Sequence, residues 1–172
     1  DRVRAERDND TGETSEVRGL TVDGFEIELK GRVADSLNLA IAYSDLSGET
    51  SSGGIPREIP EHTLSAFAAW EVNEKLSVAL GLTQQGESKI KDNTPGLVLP
   101  EYTRVDLSAY YQVAPNLSVQ MNVENLMDEL YFPHSHSTHQ ASVGESVNSR
   151  VSLRWTYSVS YTHLRAHETA TY

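Results

Sequence analysis

The chain has 172 residues, 38% of them hydrophobic, with 14 basic against 25 acidic side chains and a formal net charge of −11. The acidic balance argues against a nucleic-acid partner, which needs a Lys/Arg surface for phosphate, and the lack of cysteine excludes a disulfide framework and a thiolate metal site. No run of 18 apolar residues occurs, so no transmembrane helix is expected; a transmembrane β-barrel would show none either, because its strands alternate lipid-facing and lumen-facing residues.

Residues 1–16 are polar and charged and read as loop. Asp1-Arg2-Val3-Arg4 opens with charges and no apolar core follows, so no signal peptide is read there. An exported barrel needs such a signal, so the chain is expected to be either cytoplasmic or a fragment, and the pattern that follows favours a fragment. From there period-2 alternation dominates. Phe25, Ile27 and Leu29 alternate with Glu26, Glu28 and Lys30. Leu37, Leu39, Ile41 and Tyr43 alternate with Asn38, Ala40, Ala42 and Ser44. Leu64, Ala66, Ala68, Trp70 and Val72 share a face, and so do Leu76, Val78, Leu80 and Leu82. Val105, Leu107, Ala109, Tyr111 and Val113 form the next apolar row, followed by Leu117, Val119, Met121 and Val123. Val151, Leu153, Trp155 and Tyr157 form the last. This predicts about seven strands, most near the 9–11 residues that a tilted strand needs to cross a bilayer.

The connections alternate in length. Ala34-Asp35-Ser36, Asn73-Glu74-Lys75 and Ala114-Pro115-Asn116 are tight turns, and long polar segments fall roughly at 45–62, 85–101 and 127–147. Short periplasmic turns and long extracellular loops are the habit of an outer-membrane barrel. Trp70, Tyr111, Trp155 and Tyr157 lie on the apolar face just before a short turn or the chain end, as an interfacial girdle would. The opposite face carries Glu26, Glu28, Arg104, Asp106, Glu124, Arg150 and Arg154, which suits a wet lumen and would be costly in a dry core. The expected fold is all-β: an antiparallel up-and-down transmembrane barrel fragment. A soluble β-sandwich or lipid-binding barrel with one solvated face is the rival, told apart by whether the protein needs detergent.

Several segments resemble TonB-dependent outer-membrane receptors, and they come in that family's order. Arg18-Gly19 through Gly24-Phe25-Glu26-Ile27-Glu28-Leu29 is similar to an "RG-x-E-x-E" strand, and Ile59-Pro60-Glu61-His62 resembles the opening of a descending strand. Pro100-Glu101-Tyr102-Thr103-Arg104-Val105-Asp106 resembles "P-x-Y-x-x-x-D". Asn122-Val123-Glu124-Asn125-Leu126-Met127-Asp128-Glu129-Leu130-Tyr131 is the most specific match, to "N-V-x-N-L-x-D-x-x-Y". Gly144-Glu145, Arg150 and the final strand resemble the family's terminal region. The resemblance implies a bacterial outer-membrane barrel of about 22 strands with a plugged lumen, of which residues 1–158 would be a C-terminal part. The plug and the segment that engages the TonB energy-transducing complex would lie in an N-terminal part outside this chain. It further implies import of an iron–siderophore chelate, favoured over haem or cobalamin by the 122–137 region. A passive porin-like or adhesin barrel is the alternative, which would lack the plug. Residues 159–172 break the alternation, resemble a translated sequencing adaptor, and are expected to be a non-native tail.

The candidate ligand contacts are Arg57, Tyr131, His134, His136 and His139, all assigned to extracellular loops. Arg57 could meet an anionic chelate through charge-assisted bonds. The HSHSTH spacing allows imidazoles to hold a metal or haem iron, but polar loop histidines are usually solvated and no third ligand type is fixed nearby. No metal site or cofactor is therefore assigned. Asn125 and Asp128 are expected to hydrogen-bond local backbone where strand turns into loop. No nucleophile elbow, phosphate-cradling loop or HExxH is present, so no catalytic residue is assigned and the chain is read as a non-enzyme.

Overall fold

A computed structural model describes residues 4–7, 10–17, 19–50, 53–91 and 96–157. Arg18 and the 159–172 tail lie outside the described residues. The described residues form strands and turns only. β1 (Arg4–Arg7) pairs with β2 (Thr14–Val17), so part of the segment read as loop is a hairpin. Then follow β3 (Leu20–Ala34), β4 (Leu37–Thr50), β5 (His62–Glu71) and β6 (Leu76–Gln85). β7 (Ser88–Lys89) and β8 (Val98–Leu99) form a small hairpin inside the next loop. β9 (Tyr102–Ala114) and β10 (Leu117–Glu124) are followed by a second loop hairpin, β11 (His134–Ser137) with β12 (Gln140–Ser142), and by β13 (Asn148–Trp155).

The main sheet has seven strands in the order β13-β10-β9-β6-β5-β4-β3, every neighbour antiparallel. Each strand pairs with its neighbour along the chain, as an up-and-down meander requires. The three short connections all lie at one edge of the sheet. Asn73 builds one of them, its side-chain oxygen accepting from Lys75 N–H at 2.9 Å and Leu76 N–H at 3.0 Å, the Asx arrangement that lets a short polar side chain stand in for backbone. Pro115 supplies a preset φ in another. At the opposite edge β4 runs on to Thr50, five residues past Asp45, because it pairs with β3 all the way to Leu20. The polar 45–62 segment is therefore strand in its first part and loop in the rest.

The register sorts side chains onto two faces. Ile27↔Tyr43, Leu29↔Ile41, Ile41↔Ala66, Ala68↔Leu80, Leu80↔Leu107, Met121↔Ala109 and Met121↔Val151 all face one way. Among the described residues no second protein layer covers them: Leu29 is 64% exposed, Val151 64% and Leu153 73%. Among the described residues the buried hydrophobics are just Leu99, Val123 and Tyr131. A sheet this apolar and this open on one face is built to meet hydrocarbon. Trp70, Tyr111, Trp155 and Tyr157 cluster on that face at the turn edge, with Trp155 and Tyr157 rings 5.8 Å apart. The other end of the face carries Phe25, Tyr43 and His62, their ring centroids 5.8 and 6.5 Å apart in sequence. Level with Phe25 and above it the same face turns polar, with Asp45 and then Asp23 and Ser47.

Candidate functional site

The loop edge of the sheet is where polar side chains gather. Glu26, Glu28, Arg104, Asp106, Glu124, Arg150 and Arg154 all fall on the face opposite the apolar one, as the alternation requires. Near the top of that face Ser44 and Thr63 hydroxyls are 2.5 Å apart across neighbouring strands. Between β9 and the loop after β10 lies a buried knot. Arg104 Nη2 donates to Asp106 Oδ2 at 2.8 Å, and its Nη1 donates to the Tyr131 hydroxyl at 3.2 Å. Asp106 Oδ1 accepts from the Asn125 backbone N–H at 2.9 Å. Arg104 and Asp106 remain about a third solvent-accessible (32% and 30%), so screening limits the Coulomb gain and the pair's main effect is to fix geometry.

Asn125 is the centre of the knot. It is 1% exposed and its backbone is left-handed, φ 52°, a conformation that Asn tolerates better than most residues. Its amide nitrogen donates to the carbonyls of Glu129 and Glu145, and its oxygen accepts from Glu129 N–H, each at 2.9 Å. Asp128, also left-handed, accepts from Val147 N–H at 2.9 Å. Both ends of the 125–147 loop are thus tied together at its base. Tyr131 packs inside, its ring 4.7 Å from that of Tyr102, and Gly144 sits against it so closely that a Cβ there would overlap the ring. The family-like segments 100–106 and 122–131 thus meet in space.

Above the knot the loops touch one another. Glu58 N–H donates to the Lys89 carbonyl at 2.9 Å, and Glu61 N–H to that of Glu87 at 3.1 Å. Arg57 reaches the His136 carbonyl at 3.5 Å. His134 Nε2 and the Ser142 hydroxyl are 2.9 Å apart within the β11–β12 hairpin, and the His136 and His139 rings are 5.8 Å apart. Asp10, at the tip of the β1–β2 hairpin, accepts from Lys91 Nζ at 3.0 Å and from the Thr138 hydroxyl at 2.9 Å, and lies 3.6 Å from His139 Nδ1. Hairpins from the two ends of the sheet therefore meet, and Arg57, His136 and His139 come together. Tyr131 lies below them in the knot, and His134 faces its own hairpin partner.

Asp10 was invisible to sequence reasoning, because a lone Asp in a charged stretch carries no local signal of a partner 128 residues away. The Arg104–Tyr131 contact had a faint one in the shared motif order. Among the described residues no group of three or more His, Cys, Asp or Glu is placed to hold a metal ion. The arrangement offers hydrogen bonds and the Arg57 guanidinium to a bound molecule.

Comparison with known proteins sets this geometry in a family. The family described as TonB dependent receptor-like, beta-barrel matches residues 5–126. The metal-pseudopaline receptor CntO of Pseudomonas aeruginosa is 30% identical over 144 residues, covering 78% of this chain and 20% of that receptor. The probable TonB-dependent siderophore receptor PiuA of Acinetobacter baumannii is 25% identical over 154 residues, covering 79% of this chain and 20% of that one. The crystal structure of the ferripyoverdine receptor of the Pseudomonas aeruginosa outer membrane, bound to ferripyoverdine, aligns with a TM-score of 0.72 at 27% identity, covering 88% of this chain and 23% of that one. The chain spans about a fifth of the length of the curated relatives it matches. Seven ladder-paired strands with a bare apolar face, and a family match over most of them, agree on one conclusion: this chain belongs to the TonB-dependent receptor β-barrels of the bacterial outer membrane.

Proposed function

We propose that residues 1–158 are the C-terminal portion of the barrel of a receptor that imports ferric siderophores into the periplasm. The observation that carries this reading is the meeting of loops from both ends of the sheet above a polar inward face. A chelate arriving from outside would meet that cluster first. Relatives described as a siderophore receptor and a ferripyoverdine receptor support the substrate class. In this proposal Arg57 meets anionic oxygens of the chelate, and His134, His136 and His139 offer imidazole hydrogen bonds. Tyr131 contributes from beneath, through Arg104 and the loop base it fills. The chain performs no covalent chemistry; it binds and passes. The plug and the contact with the TonB complex belong to an N-terminal part of the receptor, and residues 159–172 are a non-native tail.

The test is uptake of radiolabelled iron on a panel of siderophores by cells with and without the full-length gene. Loss of uptake for at least one chelate is expected. Normal uptake of every chelate under iron limitation defeats the import reading. A combined Arg57→Ala, His136→Ala and His139→Ala receptor is expected to weaken chelate binding while still reaching the outer membrane.

A further inference from the structure

The last two strands of the sheet are its shortest. β10 and β13 have 8 residues each, against 10 to 15 in β3, β4, β5, β6 and β9. A tilted strand needs roughly 9–11 residues to cross hydrocarbon. Leu117 and Trp155 already sit opposite each other at the turn edge, so the shortfall is at the loop edge. The chain there continues the wall without being strand. Leu126 N–H donates to the Val105 carbonyl at 2.7 Å, one step beyond the Val123↔Leu107 pair. Asn125 is the extra residue, bulged into the left-handed region, and a bulge of this kind re-aims the residue after it. Leu126 thereby rejoins the side shared by Val105 and Val123. Just before β13, Val147 has the sequence parity of Val151 and Leu153. Leu126, Met127 and Val147 are all exposed apolar residues.

We propose that Leu126, Met127 and Val147 form an apolar shoulder embedded among the acyl chains of the outer leaflet, completing the crossing that β10 and β13 leave short. The occupant is lipid because the shoulder adjoins the hydrocarbon-facing side of the sheet, whose exposed outward residues on the same two strands are Met121, Val151 and Leu153, with Val123 buried between. Backbone outside a ladder is tolerated at that depth only when its polar groups are satisfied from within. The Asn125 side chain does this for Glu129 N–H and for the Glu129 and Glu145 carbonyls, and Asp128 does it for Val147 N–H. The long pair β3–β4 is the contrast. It runs past the aromatic level of Phe25 and Tyr43, and its outward positions there are Asp23 and Ser47. A strand pair that overshoots the membrane carries no shoulder; the pair that falls short does.

The inference rests on the outer-membrane barrel reading, and its test separates the two. Spin labels are placed on Met127→Cys and Val147→Cys in the intact receptor in proteoliposomes, with Met121→Cys as the mid-wall reference and His139→Cys as the loop reference. Collision with oxygen and with a soluble nickel chelate is measured. Met127 and Val147 are expected to favour oxygen as Met121 does, several-fold above His139. If either follows His139 while Met121 favours oxygen, the shoulder is overturned and the barrel stands. If Met121 itself favours the nickel chelate, both fall. Unsubstituted receptor in outer-membrane vesicles gives a second readout: under hydroxyl-radical footprinting Met127 is expected to resist oxidation as Met121 does, and sulfoxide at Met127 alone overturns the shoulder.

Discussion

The wall and the knot are held together in opposite ways. The wall of seven strands depends on backbone ladders, and its outward side chains touch little protein. Their stabilisation comes from lipid, so it is spread thinly over many residues. The knot at the base of the 125–147 loop depends on a few side-chain hydrogen bonds around one fully buried Asn. There a single residue satisfies several backbone groups that nothing else reaches. The difference teaches that a residue's importance in this protein follows from how many alternatives its partners have. A leucine on the wall can be replaced by any apolar neighbour; Asn125 has no substitute.

The largest expected effect is at Asn125. Asn125→Ala leaves two carbonyls and one N–H in the knot without partners, and each such loss costs about 1–3 kcal/mol. It also puts a Cβ-bearing residue without local hydrogen bonding at φ 52°, worth roughly another 1–2 kcal/mol. A large fall in the heat-induced unfolding midpoint of the intact receptor is expected. Asn125→Gly removes the same hydrogen bonds but is at ease in the left-handed region, so it should fall less far, by about the backbone share. Equal midpoints for Ala and Gly would mean that the backbone carries no strain at Asn125. An unchanged midpoint in both would dissolve the contrast between knot and wall.

The two regions were legible in the sequence to different degrees, for a physical reason. Alternation is written in every pair of adjacent residues, so the wall could be read from Phe25 to Trp155 with its faces correctly sorted. Asn125 and Asp128 could be read as backbone-bonding residues at a strand end, because that habit is local. Which backbone groups they reach could not, since Glu145 and Val147 lie about twenty residues on. The hairpins β1–β2, β7–β8 and β11–β12 escaped because strands this short cannot carry an alternating apolar row. Tyr131 shows the same limit at one residue: its place where a strand gives way to a loop was legible, but its packing against Tyr102 and Gly144 was not.

The second prediction tests the wall with two neighbours on β10. Met121 faces outward and is 44% exposed, and Gln120 beside it faces the polar side. Met121→Arg places a cation in hydrocarbon near mid-strand, which is expected to cost ~2–4 kcal/mol. Gln120→Arg places the same cation in a hydrated setting beside Asn122 and is expected to cost under about 1 kcal/mol. The comparison uses chemical unfolding of the intact receptor in lipid vesicles. Equal losses would mean that both faces of β10 meet the same medium, and the two-faced account of the sheet would fail.

The smallest effect is expected farthest from either region, at Asp10. It joins Lys91, Thr138 and His139, yet all of these lie on the watery side of the molecule, where water can take over each lost contact. Asp10→Ala is therefore expected to shift the unfolding midpoint by no more than surface changes usually do, within about 0.5 kcal/mol. Local motion should respond instead. The β11–β12 hairpin is tied down at its base by the knot and at its tip by Asp10 and Arg57, so removing the carboxylate loosens the tip alone. Amide exchange over 134–142 should quicken in the variant while exchange at Asn125 and Glu129 stays slow. If the base quickened too, the tip contacts would be holding the knot together, and the loop would have to be regarded as one cooperative unit with its anchoring reversed.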